Sequence, residues 1–240
     1  MKVRGTNAAV ALAVGLCLSS VAHAQLKDNI EINAFGGGSW YSSQHFETGF
    51  PQSITPVLGK FRMDNTWLGG LRLGVYSRGH WSQEFFFSYE PNHANMIRTS
   101  APARSISLST KVINYGVNAI YYLNDNESEK FRPFLSAGLG GTAYLLSTEA
   151  KSFAIDPLRG NLPDIDNSNE LAFNYGVGVK SRTAGWLGFR ADVRGFVGRN
   201  PSFGLARRSS DPNATVFPAA GAINNAQATA GLVFYFFGRR

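Results

Sequence analysis

Histidine, serine and glutamate side chains are the groups in this sequence that could perform nucleophilic catalysis. His45 lies close to Ser42 and Ser43, and His93 stands three residues after Glu90. Nucleophilic catalysis requires a base within hydrogen-bonding reach of the serine and a third group that orients the base. These residues match no motif of that kind, and histidines in polar connections are usually plain solvated side chains. The sequence therefore predicts that the protein is not an enzyme.

Two further clusters have the composition of ligand sites. Residues 138–142, GLGGT, could be a phosphate-binding loop, but such a loop opens a helix and here a period-two alternation continues. The acidic residues Asp156, Asp164, Asp166 and Glu170 could hold calcium, but their spacing matches no calcium-binding loop. The sequence therefore predicts no metal site and no cofactor.

Charged and apolar residues alternate in the segment LGFRADVRGFVG (187–198). Arg190, Asp192 and Arg194 occupy every second position, and the residues between them are apolar. Successive side chains of a strand point to opposite faces, so the three charges share one face. They could form an ion-pair network, provided that other strands bring opposite charges to the same depth.

Eight strand-like segments would position these groups. They cover residues 29–41, 66–76, 81–90, 108–123, 132–146, 170–181, 186–198 and 224–237. Short connections at 77–80, 124–131 and 182–185 alternate with long ones at 42–65, 91–107, 147–169 and 199–223. This alternation collects every long connection at one end, as in outer-membrane barrels. We predict an all-β fold, an eight-stranded antiparallel up-and-down transmembrane β-barrel.

The two faces of these segments differ in polarity. In the segment 170–181, Phe173 and Val177 share an apolar face, whereas Asn174 and Lys180 share the other. A soluble barrel has an apolar interior, so this pattern predicts hydrocarbon outside and a polar lumen. Aromatic rings near the strand ends are predicted to mark the membrane boundary; they are Trp40, Tyr41, Trp67, Trp81, Tyr121, Tyr122, Trp186, Tyr235 and Phe236.

The N-terminus has the organisation of a secretory signal peptide. Lys2 and Arg4 precede the apolar run 8–18, and Ala22 and Ala24 form the small-x-small pattern of a cleavage site. An apolar run of this length is too short to span a bilayer as a helix. We therefore expect export and cleavage after Ala24.

This cleavage divides the chain into a signal peptide, 1–24, and an outer-membrane β-barrel domain, 25–240. It removes the only cysteine, Cys17, so the mature chain is predicted to lack disulfides. It also removes two cations and lowers the formal net charge from +7 to +5. Because these charges are dispersed, we expect no nucleic-acid partner.

Several segments resemble the small OmpA/OmpX/OmpW-like outer-membrane β-barrel proteins. They are EINAFGGGSWY (31–41), RPFLSAGLGG (132–141), AFNYGVGVK (172–180) and AGLVFYFF (230–237). The resemblance implies a monomer in the bacterial outer membrane that contacts outer-membrane lipids and lipopolysaccharide. It also implies recognition by the outer-membrane assembly machinery through outward residues near the C-terminus, here Leu232, Phe234 and Phe236. The extension FGRR (237–240) departs from the usual ending of the family.

A barrel of eight strands encloses only enough room for side chains, which disfavours a wide aqueous channel. We expect a non-catalytic barrel whose long connections face outward and serve envelope integrity, adhesion or surface recognition. Two alternatives remain open. One is a narrow porin or transporter for small or hydrophobic solutes, and the other is a lipid-modifying enzyme.

The lumen is predicted to contain one ion-pair network that closes the periplasmic half. Arg72 and Arg190 each lie four residues from the short-turn end of their strands, and Glu84 lies three residues from it. At about 3.3 Å per residue, these side chains are within about 10–13 Å of that end. The predicted network has Arg72, Glu84, Arg190 and Asp192 at its centre and also contains Glu31, Lys180 and Arg194. The alternative is an open lumen in which water hydrates each charge.

Overall fold

Eight antiparallel strands close into a barrel in the computed structural model. It describes residues 30–48, 57–76, 79–98, 104–124, 130–156, 158, 164–184, 186–205 and 222–236. Its strands are β1 (Ile30–Tyr41), β2 (Gln44–Thr48), β3 (Val57–Met63), β4 (Thr66–Tyr76), β5 (Trp81–Arg98), β6 (Arg104–Tyr122), β7 (Phe131–Leu146), β8 (Ser168–Arg182), β9 (Leu187–Arg199) and β10 (Ala222–Phe236). The barrel order is β4-β1-β10-β9-β8-β7-β6-β5, and β5 pairs with β4 to close it. The predicted fold class is confirmed. The predicted signal peptide, with Ala22 and Ala24, lies outside the described residues.

The register of the strands fixes the tilt and the width of the barrel. Starting at Tyr41 on β1 and following paired residues once around the barrel leads back to Glu31, ten residues away on the same strand. For eight strands, this stagger corresponds to a tilt of about 40° and to an interior only wide enough for side chains. We call the end with the short connections the turn end and the opposite end the loop end.

Side chains alternate between an apolar outer face and a mostly polar lumen. Leu71, Phe87 and Val177 are exposed on the outer face, and Trp67 at its edge is 62% exposed. Three rings predicted to lie at the membrane boundary instead point inward, namely Tyr41, Tyr122 and Tyr235, the last of which lies opposite the buried Glu31. The Tyr122 side chain is buried, and the Tyr41 hydroxyl donates to a buried carboxylate. Their parity along the strands places them on the lumen face, where the hydroxyl groups of Tyr41 and Tyr122 find partners.

The predicted long connections 42–65 and 91–107 are largely strands, so this part of the prediction is wrong. The first connection contains β2 and β3, and the second is shortened because β5 continues to Arg98 and β6 begins at Arg104. β3 pairs with the upper part of β5, which pairs with β6. The barrel wall therefore extends beyond the loop end as a four-stranded sheet, β2-β3-β5-β6.

A bulge joins this sheet to the barrel. The pairing of β4 with β5 ends at Gly69 and Tyr89, and the pairing of β3 with β5 begins at Met63 and Ala94. One strand thus has one more residue than its partner across the junction, the arrangement of a β-bulge. Pro91 lies at this junction, and its carbonyl accepts a hydrogen bond from the Thr66 hydroxyl. A proline is tolerated there because an interrupted ladder does not require its missing N–H.

An apolar cluster closes the loop end, and we call it the apolar cap. Strand side chains such as Phe61, Met96 and Leu108 meet Phe203 and Leu205 from the connection after β9. The predicted connection 147–169 contains a helix, α1 (Thr148–Ile155), whose Ala150 and Ala154 pack into the cap. Ser147 caps this helix by accepting a hydrogen bond from the Ala150 N–H. No helix in the described part of the chain is long and apolar enough to cross a membrane.

Candidate functional site

A lysine–glutamate pair lies near the turn end of the lumen. Lys180 Nζ donates to the two carboxylate oxygens of Glu31 at 2.7 and 2.8 Å and to the Tyr122 hydroxyl at 2.5 Å. The Tyr122 ring packs edge-on against Phe134, and the Arg132 guanidinium carbon lies 4.0 Å from the centre of the Tyr122 ring. Paired charges and aromatic rings therefore occupy the lumen at this level.

The centre of the lumen holds two carboxylates and three guanidinium groups. Asp192 accepts two hydrogen bonds from Arg72, at 2.9 and 3.1 Å. It also accepts one from Arg190 Nε at 2.9 Å and one from Arg194 Nε at 3.1 Å. Glu84 accepts one from Arg190 and one from Arg194 Nη2, the latter at 2.6 Å. Removing these charges from water is costly, and close pairing with several hydrogen bonds offsets that cost.

Uncharged side chains complete the surroundings of Arg72. Its Nη1 donates to Asn33 Oδ1 at 2.9 Å, and its Nη2 donates to the Thr229 hydroxyl at 2.9 Å. Its guanidinium carbon lies 3.7 Å from the centre of the Phe35 ring, within range of a cation–π interaction. β1 and β10, on one side of β4 in the barrel wall, thus help to hold this cation in one position.

A further charged group lies nearer the loop end. Glu90 accepts hydrogen bonds from the Tyr41 hydroxyl, from Asn114 Nδ2 and from Gln227 Nε2, each at 2.6 Å. Within the described residues, no cation lies at salt-bridge distance from its carboxylate. Three neutral donors on three other strands therefore solvate this carboxylate inside the protein.

The buried charges of the lumen are balanced. Among the described residues, the buried charged side chains are four cations and four anions, namely Arg72, Lys180, Arg190, Arg194, Glu31, Glu84, Glu90 and Asp192. The Lys180–Glu31 pair is neutral, whereas the central group has one more cation than anions. Glu90 brings the number of buried anions to four, equal to the number of buried cations, without a direct salt bridge.

The structure places most of the predicted site residues in contact, but in two groups rather than one. Arg72, Glu84, Arg190 and Asp192 form the central group together with Arg194. Glu31 and Lys180 form a separate pair because Glu31 and Tyr122 engage the Lys180 amine. The prediction of a single network for all seven residues is therefore wrong. The structure has a central group of five residues and a separate pair.

Glu90 has a role in the lumen that was not predicted from the sequence. Glu90 was considered beside His93 as a possible catalytic residue, but it has the same parity along β5 as Glu84. Glu90 is the last residue of the predicted segment 81–90, and its parity is that of the inward residues Ser82, Glu84, Phe86 and Ser88. The signal for an inward Glu90 is therefore present in the sequence.

The fold agrees with a comparison of the sequence with known families. The family model described as "Outer membrane protein beta-barrel domain" matches residues 8–236. The chain belongs to this family. This outer-membrane β-barrel protein lies in the bacterial outer membrane, which confirms the predicted localisation and the resemblance to small outer-membrane barrels.

Solved outer-membrane barrels are similar to this chain at low sequence identity. OprG from Pseudomonas aeruginosa is 14% identical, with 87% of this chain and 96% of that chain covered and a TM-score of 0.50. Neisserial surface protein A is 12% identical, with 86% and 97% covered and a TM-score of 0.46. AlkL is 14% identical, with 87% and 90% covered and a TM-score of 0.46. No curated protein sequence matches the chain at a significant level.

The catalytic candidates do not assemble in the described part of the barrel. Glu90 points into the lumen, whereas His93 is exposed on the opposite face of β5. His93 Nδ1 lies 3.7 Å from Asp64 Oδ2, and no serine is part of this contact. The side chain of His45 lies outside the described residues. Within the described residues, no group of three or more histidine, cysteine or acidic side chains could hold a metal ion.

Proposed function

We propose that this outer-membrane barrel is a non-catalytic protein with a closed lumen, whose loop end recognises partners outside the cell. The observation that carries the proposal is the succession of paired charges and apolar side chains along the described lumen. The Glu31–Lys180 pair, the central ion group, the Glu90 cluster and the apolar cap follow one another from the turn end to the loop end. In barrels of this family, short turns face the periplasm and longer loops face outside.

This succession argues against a pore or transporter. A solute that passes along the barrel axis would have to separate paired buried charges and then displace the apolar cap. Breaking one such pair typically costs about 3–5 kcal/mol, before the cost of opening the cap is added. The protein lies in the outer membrane, and its proposed lumen is closed. The outward loop end is therefore the surface through which it can perform a function.

The loop end is built as an ordered platform, which supports a role in recognition. Beyond the bulge, β5 runs from Pro91 to Arg98, a length of about 25 Å before tilt. The outer face of this part is polar, and Arg62, His93 and Lys111 are exposed on it. We propose that the cationic side chains of Arg62 and Lys111 bind phosphate groups of lipopolysaccharide.

The C-terminal strand supports a proposal about assembly. Leu232 and Phe236 are exposed on the outer face of β10, and the Phe234 ring stacks on Trp186 at a centroid distance of 6.2 Å. β10 closes the barrel by pairing with β1. We propose that this outward row is the signal read by the assembly machinery and that the inserted barrel is a monomer. Residues 237–240 lie outside the described residues.

Planar-bilayer recording and cell binding together test this proposal. The refolded wild-type barrel should show no stable conductance steps. Cells that produce it should bind host extracellular matrix or epithelial cells more strongly than cells that carry an empty vector. The control variant replaces 91–111 by Asn-Gly, so that it keeps the central ion group and loses the loop-end hairpin. Stable conductance steps of the wild-type barrel would favour the narrow pore, and equal binding by wild type and control would contradict recognition.

A further inference from the structure

One edge of β6 at the loop end has no partner strand in the described part of the chain. β6 pairs with β5 along its whole length, up to the pair of Arg98 with Arg104. It pairs with β7 only from Thr110 onwards, and the last bond on that side joins the Ser147 N–H to the Ser109 carbonyl at 3.0 Å. Within the described residues, no strand pairs with this side of β6 before residue 109.

The free edge presents a regular set of backbone groups. In a strand, the N–H and C=O of one residue point to the same side, and those of the next residue point to the other side. The Ser109 carbonyl points towards β7, so the N–H and C=O of Ser105 and Ser107 also point to that side. The side chains of both serines are exposed. The edge therefore offers alternating donors and acceptors at the spacing of a β-ladder.

A groove runs between this edge and helix α1. It has a volume of about 780 Å³, and its walls are Ser107 and Ser109 on β6 and Glu149, Ser152 and Phe153 on the helix side. The helix is held in place because its opposite side packs into the apolar cap through two buried alanines. We call this space the β6 groove.

The walls of the β6 groove define the chemistry of its occupant. A free strand edge beside a helix is the arrangement by which peptide-binding domains add a partner strand, where backbone hydrogen bonds give affinity and the flanking element gives specificity. The exposed Phe153 ring, 36% accessible, offers an apolar contact. Hydrogen bonds from its own backbone N–H and from Ser147 lower the pKa of Glu149, so this exposed carboxyl is ionised at neutral pH and favours a basic side chain.

We propose that the β6 groove binds an extended peptide segment of a partner protein, which adds to β6 as a further strand and places a basic and an apolar side chain against helix α1. This inference rests on the proposed function, because it names the site by which the loop end recognises a protein partner. The four backbone groups of Ser105 and Ser107 form the ladder with the peptide, and Glu149 pairs with its basic residue.

The first test is the binding of a synthetic peptide to the refolded barrel. The probe is a short peptide in which valine alternates with serine or lysine, and its control has the same sequence with N-methylated backbone positions. Ser107→Pro removes one edge N–H, and proline is tolerated at a strand edge. It should weaken binding at least about tenfold, the effect of one lost hydrogen bond with its steric clash. The matched control Ser107→Thr, which keeps the N–H, should bind like the wild type.

Equal binding of the N-methylated peptide, or no binding of either peptide to the wild type, would overturn the proposal. Because the N-methylated control uses the wild-type barrel, this outcome holds even if Ser107→Pro does not fold.

The second test is amide hydrogen exchange at single-residue resolution. In the free barrel, the amides of Ser105 and Ser107 should exchange rapidly, whereas those of Ile106 and Leu108, which face β5, should be protected. Saturation with the peptide should protect the two serine amides. Protection of both serine amides in the free barrel would show that another segment of the same chain occupies the edge, and would overturn the proposal.

Cell binding separates this inference from the proposed function. If cells with the wild type and with Ser107→Pro bind the host surface equally, recognition stands and the β6 groove is not its site. If wild-type cells do not bind but the peptide does, the groove exists and the proposed function fails.

Discussion

Glu84 is the position at which the structure makes its sharpest prediction, because a single carboxylate there balances two guanidinium groups. It is 1% exposed and pairs with Arg190 and Arg194, and it also accepts a hydrogen bond from Asn118 at 3.2 Å. In Glu84→Ala, Asp192 would remain as the sole carboxylate for three buried guanidinium groups. An uncompensated buried charge of this kind costs about 3–5 kcal/mol. We expect the free energy of unfolding to fall by that amount.

The measurement is urea unfolding of the barrel in lipid vesicles, followed by tryptophan fluorescence. The control is Gln83→Ala on the outer face of the same strand, which should change the free energy of unfolding by less than about 0.5 kcal/mol. The double variant Glu84→Ala/Arg194→Met removes one charge of each sign and should be more stable than Glu84→Ala alone. The coupling between the two sites should exceed about 1 kcal/mol.

Bilayer conductance is a second measurement of the effect of Glu84→Ala. Glu84→Ala should raise the bilayer conductance above the wild-type level, since it loosens the central ion group, whereas Gln83→Ala should not. If Glu84→Ala unfolds and conducts like the control, or if the two single effects simply add, the lumen charges are hydrated individually and the reasoning is wrong.

Three further predictions concern the outer face, the apolar cap and the topology. Val177→Arg should destabilise the inserted barrel by about 2–4 kcal/mol, whereas Val177→Leu should not; equal unfolding midpoints would contradict an outer lipid face. Phe203→Ala should destabilise the cap by about 3–5 kcal/mol and make the loop end sensitive to protease while the heat-modifiable gel migration of the barrel persists; unchanged protection would contradict the cap. An epitope inserted after Leu158 should be labelled on intact cells, and one within 126–129 only after permeabilisation; the reverse would invert the topology.

The barrel itself could be predicted from the sequence because each strand meets two different environments. Phe173 and Asn174, adjacent in β8, illustrate this: the first is exposed on the outer face and the second is buried in the lumen. An error of one residue in register would place every charge in lipid, so the alternation is strict and readable. The alternating lengths of the connections then indicated which end of each strand lies at the turn end of the barrel.

The loop end could not be predicted in the same way. This part of the sequence has the composition of a loop, with Pro91, Asn92 and Asn95. Its apolar residues Ala94 and Met96 indicate a strand only weakly. Outside the membrane, the outer face of β5 meets water instead of lipid. Its outward side chains need not be apolar, so the regular alternation of apolar and polar residues is lost. The extension of β5 is stabilised by distant residues such as Phe203, which packs against Phe61 at a centroid distance of 6.1 Å.

Helix α1 could not be predicted from the sequence for a similar reason. It has only eight residues, and isolated helices of that length are unstable in water. Its position depends on the packing of Ala150 and Ala154 into the apolar cap, which only the folded loop end supplies. The Ser147 cap was readable in the sequence but is too common a feature to indicate a helix by itself.

In the lumen, the depth of each charged residue along its strand could be predicted from the sequence. The partner that each long side chain contacts could not. Counting residues from the turn end brought Arg72, Glu84 and Arg190 to similar depths, and the structure has them in contact. The length of a lysine or an arginine side chain decides which partner it selects at that depth. That choice made Lys180 a member of a separate pair with Glu31, and no counting along a strand could foresee it.

The balanced charges of the lumen also constrain how the barrel can enter the membrane. Arg72 meets Asp192 across 120 residues of sequence, and Glu31 meets Lys180 across 149. A single hairpin inserted on its own would therefore carry unpaired charges into hydrocarbon, and the pairing of β1 with β10 must form before these charges are all compensated. Contacts between such distant residues make folding slow. Insertion and closure are thus expected to occur as one concerted event, with no stable partly inserted intermediate.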